Sequence, residues 1–271
     1  MWVAGRVAHP VIFVLMDSSQ PFSPEYRDTV ASTVLKWASE DNRVVAGAIV
    51  GSMATGPGDR WSDLDLSFGI DNSVSVAGVL EDFTGQLNIE FSAAKLFDLP
   101  VGQSIYRVFL LPGCLQLDLS FSPADHFGAI GSHFKLLFGA TVERPQIPLP
   151  RAENLFGYAV HHLLRARICI ERGRLLQAEY WVSSARDYTL HLACLHCGLS
   201  TFHGRGFDQL PFNIRDQIPR TLVHAFDRDS LLSALCSTIT LLLDQSSLLL
   251  GMEVLHIVEP QLRMLASSWK T

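Results

Sequence analysis

Val44-Val45-Ala46-Gly47-Ala48-Ile49-Val50 runs into Gly51-Ser52-Met53-Ala54-Thr55-Gly56-Pro57-Gly58-Asp59-Arg60-Trp61-Ser62 and then Asp63-Leu64-Asp65-Leu66-Ser67-Phe68-Gly69-Ile70. The first apolar run, ended by Gly-Ser, reads as a buried strand entering a tight turn. At such a turn Gly51 lets the backbone approach a phosphate, and Ser52 offers a hydroxyl and an N–H to hold it. The following stretch alternates strictly, with Asp63, Asp65 and Ser67 on one face and Leu64, Leu66 and Phe68 on the other. Two carboxylates two residues apart on a strand point the same way, about 6–7 Å apart along the chain. Paired oxygen donors of this kind suit hard divalent cations, which bring triphosphate oxygens with them.

A third acid follows. Residues 104–111 and 114–121 flank Pro112-Gly113 and read as a hairpin. In its second strand Leu115, Leu117, Leu119 and Phe121 share one face, and Gln116, Asp118 and Ser120 share the other. Asp118 is thus expected on the same polar sheet face as Asp63 and Asp65, where three carboxylates could serve an in-line displacement at phosphorus. An acid so placed could also take the proton of an attacking hydroxyl. Asp-x-Asp alone, or Gly-Ser alone, is more often structural. The ordered composite of strand, Gly-Ser, Gly-rich loop and Ser-Asp-x-Asp strand is what carries the reading.

The stretch Gly51-Ser52 … Ser62-Asp63-Leu64-Asp65 resembles the signature of the nucleotidyltransferase superfamily that shares its fold with DNA polymerase beta. Within it, the loop is most similar to those of antibiotic nucleotidyltransferases of the lincosamide and aminoglycoside type. The resemblance implies Mg²⁺ held by Asp63 and Asp65, with Asp118 as the third carboxylate and metal ligand. It implies β/γ-phosphates held by Gly51 and Ser52, and a proton acceptor that is Asp118 or, from a helical domain, Glu153. Arg60, inside the signature loop, is the first candidate for a triphosphate contact; Arg165, Arg167 and Arg186 follow, each more simply read as part of a solvated helix face. The expected reaction moves a nucleoside monophosphate from an NTP, ATP first, to a hydroxyl of a small molecule such as a lincosamide or aminoglycoside. Two alternatives stand beside it: a non-catalytic nucleotidyltransferase-like partner of a toxin–antitoxin pair, and a transferase acting on protein or RNA.

Composition narrows the partners. The chain has 271 residues, 48% hydrophobic and 18% charged, which marks a folded protein rather than a disordered one. A net charge of −6 argues against broad nucleic-acid binding, because phosphate affinity comes from Lys and Arg. Residues 1–150 hold 16 acids and 9 bases, whereas residues 151–271 hold 11 and 12. The helical half therefore offers no acidic wall for a polycation, which favours a less charged hydroxyl-bearing acceptor. Five cysteines without a disulfide framework fit a reducing cytoplasm. Cys194-Leu195-His196-Cys197 has no second ligand pair for zinc, and His161-His162 read as packing or surface residues.

Ser23-Pro24-Glu25 starts a helix whose apolar stripe is Val30, Val34, Trp37 and Ala38. A strand at 43–50, the Asp strand at 63–70, a helix over 74–86, a strand near 88–95 and the hairpin follow. Residues 142–150 carry three prolines and are the expected linker between a catalytic domain (23–141) and a helical domain (151–271). In the second domain, helices are expected over 151–172, 175–197, 213–225, 229–249 and 253–268, closing a bundle. The fold class is thus α+β, a small mixed-sheet domain followed by an all-α bundle, with the active site expected in a cleft between them. The leucines at 241–243 and 248–250 read as bundle core, with a homodimer interface as the alternative. Residues 1–22 read as an extension; its apolar run is too short to span a bilayer, and Met16 is the expected natural start.

Overall fold

Ser23 has an extended backbone and its Oγ accepts a hydrogen bond of 3.2 Å from the Tyr26 N–H, which fixes the start of α1 (Pro24–Glu40). The computed structural model describes residues 20–145, 147–249 and 251–267, the side chains of residues 252–254 excepted. The expectations about Met16 and the extension before Gln20 lie outside the described residues, as does Leu250. The chain divides into two compact units between Ile147 and Pro148.

In the first unit six strands form one mixed sheet: β1 (Val44–Val50), β2 (Leu64–Ile70), β3 (Ala94–Val101), β4 (Ser104–Leu111), β5 (Leu115–Pro123) and β6 (Phe134–Phe138). Their order across the sheet is β3-β4-β5-β2-β1-β6. The pair β2–β5 is parallel, and the other neighbours are antiparallel. One sheet face is covered by α1 and by α2 (Val76–Phe91). Leu64, Leu66 and Phe68 of β2 and Leu115, Leu117, Leu119 and Phe121 of β5 are fully buried there, against Val30 and Val34 of α1 and Leu80, Phe83 and Leu87 of α2. The rings of Phe68, Phe83 and Phe121 meet at 5.2–6.1 Å between centroids. Because successive side chains alternate, this burial commits Asp65, Ser67, Asp118 and Ser120 to the opposite face.

Two expected boundaries shift. The helix expected over 74–86 continues to Phe91, because Leu87 extends the buried stripe of Val79, Leu80 and Phe83 by one more turn. Ser92, in the left-handed region at φ +52°, then ends it by donating its N–H to the carbonyls of Asn88 and Leu87, so the next strand starts at Ala94 rather than 88. Strand β6, which pairs with β1 at the sheet edge, has no counterpart in the sequence reading. Its five residues lie among Gly- and Ser-rich turns and show no clean alternation.

The second unit is helical: α3 (Ala152–Glu171), α4 (Leu175–His196), a short α5 (Phe212–Arg215), α6 (Arg228–Ser246) and α7 (Met252–Ala266). The single helix expected over 213–225 is instead α5 and a 3₁₀ turn at Ile218–Thr221, with Pro219 opening the second piece. Leu163, Ala178, Val182, Leu231, Leu235 and Leu242 are core residues here. Arg167 is not on a solvated face. It is 1% exposed, donates to Glu171 Oε1 at 2.7 Å, and reaches the carbonyls of Leu265 and Ser267 at 2.8 and 2.9 Å, tying the end of α7 to α3. Cys194 is buried, and burial pushes its thiol up to about 11. Among the described residues no group of three or more His, Cys, Asp or Glu side chains is arranged to hold a metal. Among them, too, no helix is long and apolar enough to cross a membrane.

On the helix-covered face, Arg107 of β4 is nearly buried and donates to both oxygens of Asp98 at 2.6 and 2.8 Å, to Glu81 at 2.8 Å and to Thr84 at 2.7 Å. The guanidinium, with burial opposing it, holds the Asp98 carboxyl down at about 2, against 3.8 for a free aspartate. A depressed pKa contributes stability above the unfolded value, and that contribution is lost as pH falls through the folded one. Asp98→Asn should therefore lower the urea midpoint at neutral pH, and the deficit should shrink from about pH 4 downwards.

Candidate active site

The parallel register places Asp65 of β2 directly beside Asp118 of β5. Ser67 and Ser120 are the next pair on that face, and Ser120 Oγ donates to Ser67 Oγ at 2.7 Å. Asp63 sits one residue before β2 and close enough to Asp118 for its charge to be felt there. The Asp118 carboxyl is raised above the ordinary aspartate range, chiefly by burial and further by Asp63; the Gln116 amide, donating to its Oδ1 at 3.0 Å, works the other way. Three acids thus meet at one edge of one sheet face, and at least two of them repel each other.

At the end of β1 the chain turns through a 3₁₀ segment, Gly51–Ala54. Gly51 has φ +69°, and a Cβ there would lie 2.0 Å from Asp65 Oδ2. Only glycine tolerates both the left-handed backbone and a carboxylate packed against it. The turn that opens the motif therefore abuts the second acid directly. Ser52 follows on that turn and is exposed.

The Gly-rich loop between turn and acids is held by a residue that the sequence reading did not select. Arg27 of α1 is 3% exposed and donates to the carbonyls of Asp59 at 2.7 Å, and Ser62 and Pro57 at 3.2 Å. The loop also binds itself: Ser62 Oγ accepts from the Asp59 N–H at 2.9 Å, and Asp59 Oδ1 accepts from the Trp61 N–H at 2.7 Å. A signal for Arg27 was present in the chain, since it falls on the buried stripe of α1 with Val30, Val34 and Ala38. A cation on an apolar stripe needs partners, and the carbonyls of this loop are those partners.

Arg60 donates to the Phe22 carbonyl at 2.5 Å, and its guanidinium lies 4.5 Å from the centre of the Trp61 ring. Glu153 belongs to the second unit, in the first turn of α3, where the Arg151 Nε lies 3.4 Å from its carboxylate. In that unit Arg165 stacks on Trp181 at 5.7 Å, and Arg186 sits 3.7 Å from Asp187. The structure thus brings Gly51, Asp63, Asp65 and Asp118 together within one unit and engages Arg60 with Phe22 and Trp61.

The donor set suits a hard divalent cation. Asp65 and Asp118 stand side by side on parallel strands, and the Asp118 carboxyl is raised chiefly by burial and further by the charge of Asp63. Since no three of these side chains already converge as a cage, oxygens of a bound triphosphate would complete the shell.

No protein-family model matches the chain, and no curated protein matches it. Among solved structures, an aminoglycoside 6-adenyltransferase from Bacillus subtilis is similar at 14% identity and a TM-score of 0.43, covering 91% of this chain and all of that one. The GLD-2/RNP-8 complex is similar at 12% identity and a TM-score of 0.28, covering 79% of this chain and 66% of that one.

Two substitutions test the local architecture. Gly51→Ala should cost about 1–2 kcal/mol from its backbone alone, read as a lowered urea midpoint, and should displace the Asp65 carboxylate. Arg27→Met keeps the stem of the side chain but strands three carbonyls, so about 2–3 kcal/mol should be lost. Hydrogen exchange should then rise first at residues 57–62, ahead of the sheet.

Proposed function

We propose that this protein is a Mg²⁺-dependent nucleotidyltransferase that moves an NMP from an NTP to a hydroxyl of a small molecule, with release of pyrophosphate. The observation that carries the reading is the direct pairing of Asp65 with Asp118 on parallel strands, with the Gly51 turn packed against Asp65. Such an arrangement has no role in the core, since it sits on the face opposite the buried one.

In this reading the turn after β1 and the Ser52 hydroxyl hold the leaving phosphates. Asp63 and Asp65 present the oxygens that would bind Mg²⁺, with Asp118 as third ligand. A bound divalent ion would neutralise charge on the triphosphate and orient it for in-line attack. The acceptor oxygen forms a bond to the α-phosphorus as the bond to the β-phosphate oxygen breaks, and pyrophosphate departs. Asp118, made more basic by burial and by Asp63, takes the hydroxyl proton. The donor is ATP in the first instance, and the acceptor is an uncharged or lightly charged hydroxyl compound, a lincosamide ahead of an aminoglycoside.

Incubation with Mg²⁺, mixed NTPs and a pool of lincosamides and aminoglycosides should yield acceptor masses increased by one nucleoside monophosphate. Asp63→Asn should reduce that transfer at least about 100-fold while the thermal midpoint stays near wild type. Glu153→Gln should leave transfer near wild type, and a loss there comparable to that of Asp118→Asn would move the proton acceptor to Glu153. An active Asp63→Asn variant would remove the assignment of the site, and transfer only to RNA or protein would move the acceptor class.

A further inference from the structure

The polar face that carries the acids does not end at β5. Sheet register extends the Asp65–Asp118 row outward through Val108 of β4 to Phe97 of β3. The next row runs Ser67–Ser120–Tyr106–Leu99. Directly opposite residues share a face, so Phe97 and Leu99 stand on the same side as Asp118. Val101 pairs with Ser104, whose Oγ lies 2.7 Å from that of Ser122, and Leu110 pairs with Gln116, the residue that donates to Asp118. Phe97, Leu99, Val101 and Leu110 are 53, 54, 45 and 41% exposed. Single exposed apolar residues are ordinary, but three in alternation on one strand face, with a fourth on the same face of the next strand, beside a candidate active site are not.

We propose that Phe97, Leu99, Val101 and Leu110 form a shelf that seats the apolar body of an amphipathic, hydroxyl-bearing small molecule while its hydroxyl reaches Asp118. The inference rests on the nucleotidyltransferase reading and assigns the acceptor's chemical class and the side from which it enters. Strands are spaced about 4.8 Å apart, so β3 stands about 10 Å from β5, the length of a two-ring molecule. The only acid in β3 and β4 is Asp98, which is turned to the helix-covered face and held by Arg107 and Lys95. Nothing on the shelf therefore matches the additional ammonium groups of a polycation. Nor does the edge invite another strand: β3 is bulged between Lys95 and Phe97 and contains Pro100, two features that obstruct edge pairing. An occupant comes over the face and not along the edge.

The test uses the full-length protein and two hydroxyl-rich probes: lincomycin, which has an apolar half, and kanamycin, a polycation without one. Binding is measured by titration calorimetry without nucleotide, and transfer by mass spectrometry with Mg·ATP. The variants are Phe97→Thr/Leu99→Thr, which keeps strand-forming residues at exposed positions, and Leu110→Thr alone. Lincomycin should bind wild type in preference to kanamycin, and the double variant should weaken it at least about tenfold with Mg·ATP affinity unchanged. Equal lincomycin affinity in folded variants overturns the shelf, as does preference for kanamycin or no lincomycin binding to wild type. A wild-type dimer that the variants dissolve, with lincomycin affinity unmoved, assigns the face to a second copy and also overturns it. Shelf-dependent lincomycin binding without nucleotide transfer upholds the shelf and removes the transferase reading instead.

Discussion

Burial of one face of the sheet in the first unit is the constraint from which the candidate site follows. Leu64, Leu66 and Phe68 interleave with Leu117, Leu119 and Phe121 beneath α1 and α2, and none of them has any exposed surface. A one-residue slip of β2 against β5 would carry two carboxylates into that core and three large apolar side chains out of it. The cost of burying an unpaired carboxylate makes such a slip prohibitive. The core therefore sets the register, and the register sets Asp65 against Asp118. Positioning of the acids is a by-product of apolar packing on the other side of the same strands.

The acids themselves oppose the fold. Burying a carboxylate and setting a like charge near it both destabilise the native state, and the Asp118 carboxyl is raised first by burial and then by Asp63. Features elsewhere in the unit offset that repulsion. Arg27 fastens the loop that leads into Asp63 by three carbonyls, and Gly51 alone leaves room for the Asp65 carboxylate. On the other face of the sheet, Arg107 stitches β3 and β4 to α2 through Asp98, Glu81 and Thr84, so the exposed edge strand keeps its place. In the proposed function a bound cation would neutralise the gathered acids, and the triphosphate oxygens would complete its shell.

The two buried arginines illustrate what pattern reading misses. Arg27 and Arg167 lie on helices whose stripes were legible, yet a charged residue on a stripe was read as solvent-facing or passed over. Their partners are main-chain carbonyls remote in sequence, at Pro57, Asp59 and Ser62 for one and at Leu265 and Ser267 for the other. Carbonyls carry no side-chain identity, so nothing in the composition of those segments announces them. Arg60, by contrast, was selected because it lies in the loop, and its partners are the Phe22 carbonyl and the Trp61 ring.

Local periodicity was enough to determine the strands β1, β2, β4 and β5, the face on which each acid stands, the turn at Gly51 and the helical character of the second half. These follow from the two-residue repeat of strands and the 3.6-residue repeat of helices, which need no knowledge of distant neighbours. The order β3-β4-β5-β2-β1-β6, the parallel pairing that makes Asp118 the neighbour of Asp65, and the short edge strand β6 were decided only by tertiary structure. The apolar shelf on β3 belongs to the same class, because its relation to Asp118 exists only across three strands. Which strands lie side by side depends on how two helices and a sheet bury their shared apolar surface, and that is a property of the whole unit rather than of any segment.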